Sequence, residues 1–214
     1  MNKPDRLTIR DTLFGDLELS EWARDDTEYA GESWQLFLRA RKDLEAGNRQ
    51  EAIRALEQVA AIPSLESRHY LQAWSALRSL GVRPDKALAG HVYGVVAEVA
   101  VEQGQDIVAG YADHTARYFN FSGAGIVWDA QEEEISQRID QLLTAGETAV
   151  KAIGLWEAPR PPAPTKGQAR ISMLTPAGLY FGEAPTEVLW RDPLAGPVID
   201  AAFSLMQALI SRAR

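Results

Sequence analysis

Residues 92–129 constrain the fold more than any other stretch. They read VYGVVAEVAVEQGQDIVAGYADHTARYFNFSGAGIVWD. Five valines fall in the ten positions 92–101, and β-branched side chains suit a pleated, packed surface. Tyr93, Val95, Ala97, Val99 and Val101 alternate with Val92, Val96 and Ala100, so both faces of this strand are apolar. A strand of that kind is central and covered on both sides. Glu98 interrupts the second face, and a carboxylate there must be paired or stand at a sheet edge. Turn-forming residues then recur at short intervals: 102–105 with Gly104, 112–115 with Asp113, and 122–125 with its two glycines. They delimit strands at 106–111, 116–121 and 126–128, a meander of three or four antiparallel strands.

The flanking chain reads mostly as helix. Residues 1–31 are acidic and aperiodic; they predict an extended arm laid over a core by Leu13, Phe14, Leu17, Leu19 and Trp22, with Tyr29 also in it and a short helix near 17–23. Residues 33–62 have helical spacing (Trp34, Phe37, Leu38, Leu44, then Ile53, Leu56, Val59) broken at Gly47-Asn48, which predicts a helical hairpin. A further helix spans 65–80 and stops at Gly81. Residues 85–89 are a short helix or turn. After the meander, Asp129 and Glu132 have capping-box spacing, and Glu132-Glu133-Glu134 suit the positive end of a helix dipole, so a helix runs over 131–153. The segment APRPPAPTKGQ, 158–168, is a semi-rigid proline-rich connector. Strands at 169–174 and 179–183 flank a Thr-Pro-Ala-Gly turn, and this hairpin extends the first sheet. Residues 186–190 read as a short strand or lead-in. The last helix covers 193–212, with Arg212 and Arg214 on the dipole's favoured side.

Composition narrows the functional classes. Formal net charge is −8 and the pI about 5.0, against the basic patch nucleic acid requires and against anionic lipid headgroups. The absence of cysteine excludes disulfides and thiolate metal sites. No apolar run approaches the roughly 18–20 residues of a membrane span, and the first residues do not resemble a signal peptide. The expectation is a cytoplasmic protein with no cofactor.

Two stretches carry resemblances. EAGNRQEAIRALEQVAAIP looks like the second half of a tetratricopeptide repeat: Gly47, Ala52, Leu56 and Pro63 fall at about the family's small and packing positions, and Ala40 suits the small position of the first helix. The likeness covers one repeat, Arg49 stands where an aromatic is expected, and the pattern does not recur, so a solenoid is not implied. The run YADHTARYFNFSGAGIVWD, with the later ARISMLTPAGLYFGEAP and DPLAGPVIDAAFSLMQALI, resembles a group of uncharacterised bacterial proteins over about 88–210. That resemblance implies a fold and no activity. The order three strands, helix, two strands, helix is similar to profilin-like and roadblock-like scaffolds, and fold does not fix function.

The residues that carry chemistry by type form no familiar catalytic set. His69, His91 and His114 lack ligand-spaced companions, apart from Asp113 beside His114, and adjacent turn residues point apart. Ser122-Gly123-Ala124-Gly125 lacks the pattern of a nucleophile elbow or phosphate loop and reads as a tight turn. Asn120-Phe121-Ser122 matches a glycosylation acceptor, which a cytoplasmic chain does not use. Tyr111, Tyr118, Phe119, Phe121 and Trp128 read as core rather than a stacking platform, since Arg117 is the only nearby cation. Pro159 and Pro162, three apart, read as spacer rather than as a ligand for an aromatic groove. The remaining polar set, Glu98, Asp113, Arg117 and Asn120, is the candidate ligand-binding group, with Arg117 free to meet a carboxylate on a neighbouring strand. Glu183 and Arg191-Asp192 are candidates for the same surface.

The expected architecture is α+β: an arm over 1–32, a helical part over 33–90, and over 91–214 an antiparallel sheet of about five strands with two helices packed on it. The leading functional expectation is a non-enzymatic protein–protein interaction adaptor or scaffold with a protein partner, compatible with self-association and without nucleic acid or membrane. The alternative is a small-ligand sensor or enzyme with a cleft between sheet and helical part.

Overall fold

The computed structural model describes residues 8–23 and 31–213. The chain divides into two compact units, 1–84 and 85–214. The predicted arm is only partly covered: residues 1–7 and 24–30, Tyr29 among them, lie outside the described residues, as does Arg214.

The first unit is helical. A 3₁₀ turn at Arg10–Leu13 is followed by α1 (Leu19–Trp22), α2 (Glu32–Glu45), α3 (Arg49–Ala61) and α4 (Ser67–Ser79). The predicted hairpin is α2–α3, turned at Gly47, whose φ of 80° favours glycine. Phe37 and Ala40 of α2, Leu56 and Val59 of α3, and Ala73 and Leu77 of α4 are buried together. The arm is fastened as well as packed: Leu13, Phe14, Leu19 and Trp22 are buried, and the Gln72 side-chain amide both accepts from the Leu17 N–H (3.1 Å) and donates to the Leu17 carbonyl (2.7 Å). A fully buried amide satisfied in this way is a strong local tie.

The second unit holds a six-stranded, wholly antiparallel sheet in the order β4-β3-β2-β1-β5-β6. The strands are β1 (Gly94–Val101), β2 (Gly104–Tyr111), β3 (Ala116–Phe119), β4 (Gly125–Trp128), β5 (Gln168–Thr175) and β6 (Gly178–Pro185). The helices are α5 (Lys86–Ala89), α6 (Glu133–Val150), α7 (Thr186–Arg191) and α8 (Ala195–Arg212). The meander forms as its alternation predicts, and the β5–β6 hairpin adds to the free edge of β1, which places β1 at the centre. Residues 85–89 belong with the sheet, not with the helical unit: Asp85 caps α5 by accepting from the Leu88 N–H at 2.8 Å.

The α+β class is as the sequence predicts, with six strands where about five are expected. Local details differ. Residues 186–191 are helix, because Pro185 ends β6 and Leu189, rather than Val188 or Trp190, is the side chain that is buried. Glu132 makes no capping hydrogen bond; Glu132 and Glu134 instead pair with Arg212 at the far end of α8. The proline-rich connector is laid on the sheet: Trp156 bridges to Leu179 and packs edge-on against Phe181, while the Pro162 carbonyl accepts from Arg170 at 2.7 Å.

Strand alternation gives this sheet two different faces. One carries Val95, Ala97, Val108, Ile171 and Met173, packed against Ile139 and Leu142 of α6 and Val198 and Leu205 of α8. Close approach is needed there. A Cβ on Gly146 of α6 would lie 2.8 Å from Cγ2 of Val95, so only glycine fits without repacking. The other face carries Val96, Glu98, Ala109, Tyr111, Arg117, Arg170 and Ser172, all buried. Of the five aromatics of the meander, Tyr118 and Trp128 lie on the helix-covered face and Tyr111 and Phe119 on the other, while Phe121 sits in the turn after β3 and is exposed rather than core, so they build no single platform.

Candidate functional site

The polar face concentrates residue types associated with catalysis, and they are engaged with one another. Glu98, fully buried, accepts from Nε2 of Gln105 at 2.9 Å and lies 3.7 Å from Nη1 of Arg170. Arg170, 3% exposed, also donates from Nε to Glu183 at 2.7 Å and stands over the Phe181 ring at 5.4 Å. One guanidinium thus serves two carboxylates and the connector carbonyls of Pro161 and Pro162, the geometry a buried charge requires. Of the sequence candidates, Glu98 and Glu183 meet through Arg170. Arg117 shares their face, two strands from β1, and donates to the carbonyls of Ala116 (2.8 Å) and Trp128 (2.9 Å). Asp113 and Asn120 lie beyond opposite ends of β3. Asp113 accepts from the Thr115 N–H and hydroxyl at 3.0 and 2.8 Å. Asn120 Oδ1 accepts from the Ser122 N–H, the Ser122 hydroxyl and the Ala124 N–H at 3.0, 2.7 and 3.1 Å. The four candidates do not converge on one cavity. Asp192 turns the corner into α8, accepting from the Leu194 and Ala195 N–H groups, first the Ala195 bond and then the Leu194 bond holding its carboxyl below the ordinary range.

The histidines are placed apart. His114, with φ of 61°, sits 3.0 Å from Asp140 of α6. His69 is buried among Trp22, Trp34 and Phe37, with Nδ1 3.1 Å from the Ser33 hydroxyl. Among the described residues no group of three His, Cys, Asp or Glu has the arrangement to hold a metal ion.

Open space lies on the opposite face of the sheet. Between α8 and the end of the sheet where β1 turns into β2 is a small cleft of about 60 Å³, continuous with solvent. Val99, Val108, Tyr118 and Ile171 form its floor, and Ile199 and Met206 of α8 its roof. Trp190 of α7 and Phe203 of α8 make its lip, 42% and 43% exposed, their rings in edge contact at 5.9 Å. The lip is held in place. The Trp190 indole N–H donates to Asp200 at 2.7 Å. Gly196 at the start of α8 lets that helix come close, since a Cβ there would lie 2.6 Å from the Trp190 carbonyl oxygen.

Polar groups at the cleft are few. Tyr118 faces Val108 across the β2–β3 pairing, and Asp106 lies two residues along β2 on the same face. Asp106 Oδ1 accepts from the Phe121 N–H at 2.9 Å; the Tyr118 hydroxyl has no hydrogen-bond partner among the described residues. Burial first, and then the Asp106 charge, raise the Tyr118 phenol above its usual pKa of 10.0. An apolar slot with a small number of convergent polar groups is the usual form of a small-molecule site.

Comparison with protein-family models, curated proteins and solved structures finds no match to this chain.

Proposed function

We propose that this protein is a small-ligand-binding protein whose sheet unit receives an apolar molecule in the cleft beneath α8. The observation that carries the reading is the pairing of an open apolar slot with two exposed aromatic side chains held at its mouth. Leaving two large rings half in water costs hydrophobic stabilisation that a bound apolar surface would restore. The test uses N-phenyl-naphthylamine, a neutral dye that brightens in apolar surroundings. The expected result is saturable, single-site fluorescence with the wild-type chain. Ala202→Phe, which places a ring in the slot, abolishes it, and Phe203→Ala, at an exposed position, weakens it while the circular dichroism is unchanged. Absence of saturable binding, or equal binding by both variants, contradicts the reading.

A second reading, an interaction adaptor, is supported by the stacked helices of the first unit, whose α2–α3 hairpin resembles a tetratricopeptide unit, and by the exposed Val188 of α7. It predicts a partner recovered from host lysate whose retention survives Ala202→Phe. Recovery of none, or loss with that substitution, contradicts it.

A further inference from the structure

From the charge around the cleft we infer that its ligand is an amphiphilic amine, with the apolar body under α8 and the ammonium group at Asp106 and Tyr118. The inference rests on the cleft being the binding site. The lining is almost wholly apolar; of its charged and hydroxyl-bearing residues, Glu98 and Arg170 are engaged with each other through the other face of the sheet, which leaves Asp106 and Tyr118 to meet the polar end of a ligand. One Asp106 oxygen is committed to the Phe121 N–H, and the other remains able to accept. The Tyr118 hydroxyl supplies a second acceptor lone pair at the same edge. Together they present a carboxylate and a phenol oxygen to a donor-rich head, the complement of an ammonium ion. The cation nearest this wall, Arg170, is already held by Glu98 and Glu183 on the other face of the sheet, so it does not offer itself to an anionic head. The lip suits the same ligand, because Trp190 and Phe203 present π-faces that attract a cation as it enters. The Met206 thioether is an adaptable wall for aliphatic or aromatic bodies.

The test displaces N-phenyl-naphthylamine from the full chain with three compounds sharing one apolar body: phenylbutylamine, phenylbutanol and phenylbutyrate. The amine is expected to compete about tenfold better than the alcohol, with the acid weakest. Asp106→Asn keeps an oxygen for the Phe121 N–H and removes the charge; it is expected to bring amine and alcohol within about twofold of each other. Tyr118→Phe is expected to weaken the amine by a smaller factor and leave the alcohol unchanged. If the alcohol or the acid equals the amine on the wild-type chain, the amine assignment is overturned while the cleft stands as a site. The same holds if the dye binds and none of the three displaces it. If the dye does not bind at all, the cleft reading itself fails and the assignment falls with it.

Discussion

The two faces of one sheet do opposite things with the same strands. Val95, Ala97 and Val99 point to a face that is apolar, helix-covered and open at one end; Val96, Glu98 and Ala100 point to a face that is closed and charged. The residues that look functional by type are on the closed face or in turns, where each has a structural partner. The open face is built from residues that look like core. The difference teaches that in this chain reactive side-chain chemistry marks places of structural tension, while binding capacity lies where packing stops short.

The comparison breaks most visibly at Arg170. Arg170→Met leaves the fully buried Glu98 without its cation and takes the partner from Glu183 on the edge strand β6; removing one partner of a buried pair typically costs about 3–5 kcal/mol. Urea denaturation should show a loss of that size, and the double variant Glu98→Gln/Arg170→Met should recover much of it. Dye binding under α8 should persist wherever the double variant is folded, since the polar face does not supply the site. Next in size is Gly196→Ala. Its methyl group must displace the Trp190 carbonyl, a backbone clash worth about 1–3 kcal/mol, and the same displacement should weaken dye binding. This is the one substitution expected to move both stability and binding.

Asn120→Ala should cost about 1 kcal/mol by removing the acceptor of the β3–β4 turn, with binding unchanged. A parallel loss of ligand affinity would return Asn120 to the site. The smallest effect is a titration. Because the Tyr118 phenol is raised in the folded chain, its contribution to stability is fully present below pH 10.0 and is lost as pH rises through the folded value. The phenolate difference spectrum between wild type and Tyr118→Phe should therefore appear at higher pH than for an ordinary tyrosine. Asp106→Asn should lower that titration only part of the way, since burial is the larger cause.

Much of the fold was legible because it is written locally. The valine alternation of 92–101 marks a strand covered on both faces, and the turn residues at 102–105, 112–115 and 122–125 cut the meander nearly where the structure does. Glu98 announced that a partner was needed. Its partner was harder to see, because Arg170 lies on a hairpin that joins β1 only through long-range pairing, and sequence spacing says nothing about which edge a hairpin selects. The complementary charges on alternate positions of three strands, Glu98, Arg170 and Glu183, were the available signal. Residues 186–190 read as a short strand or lead-in, and the strand alternative does not hold because Val188 and Trp190 alternate without being buried; the segment is helix. The cleft was not legible at all: its walls come from β1, β2, β3, β5, α7 and α8, and Ile199, Met206 and Phe203 are indistinguishable in sequence from the core residues beside them on α8.

The most direct test of the central claim uses the methionine methyl groups. The chain has three methionines; Met206 lines the cleft, and Met173 is fully buried in the same apolar core away from it. With ¹³C-methyl-labelled methionine, titration with phenylbutylamine should shift the Met206 resonance along a saturable curve while Met173 stays in place. A Met206 resonance that does not move at saturating amine, or a Met173 resonance that moves as far, would contradict the account.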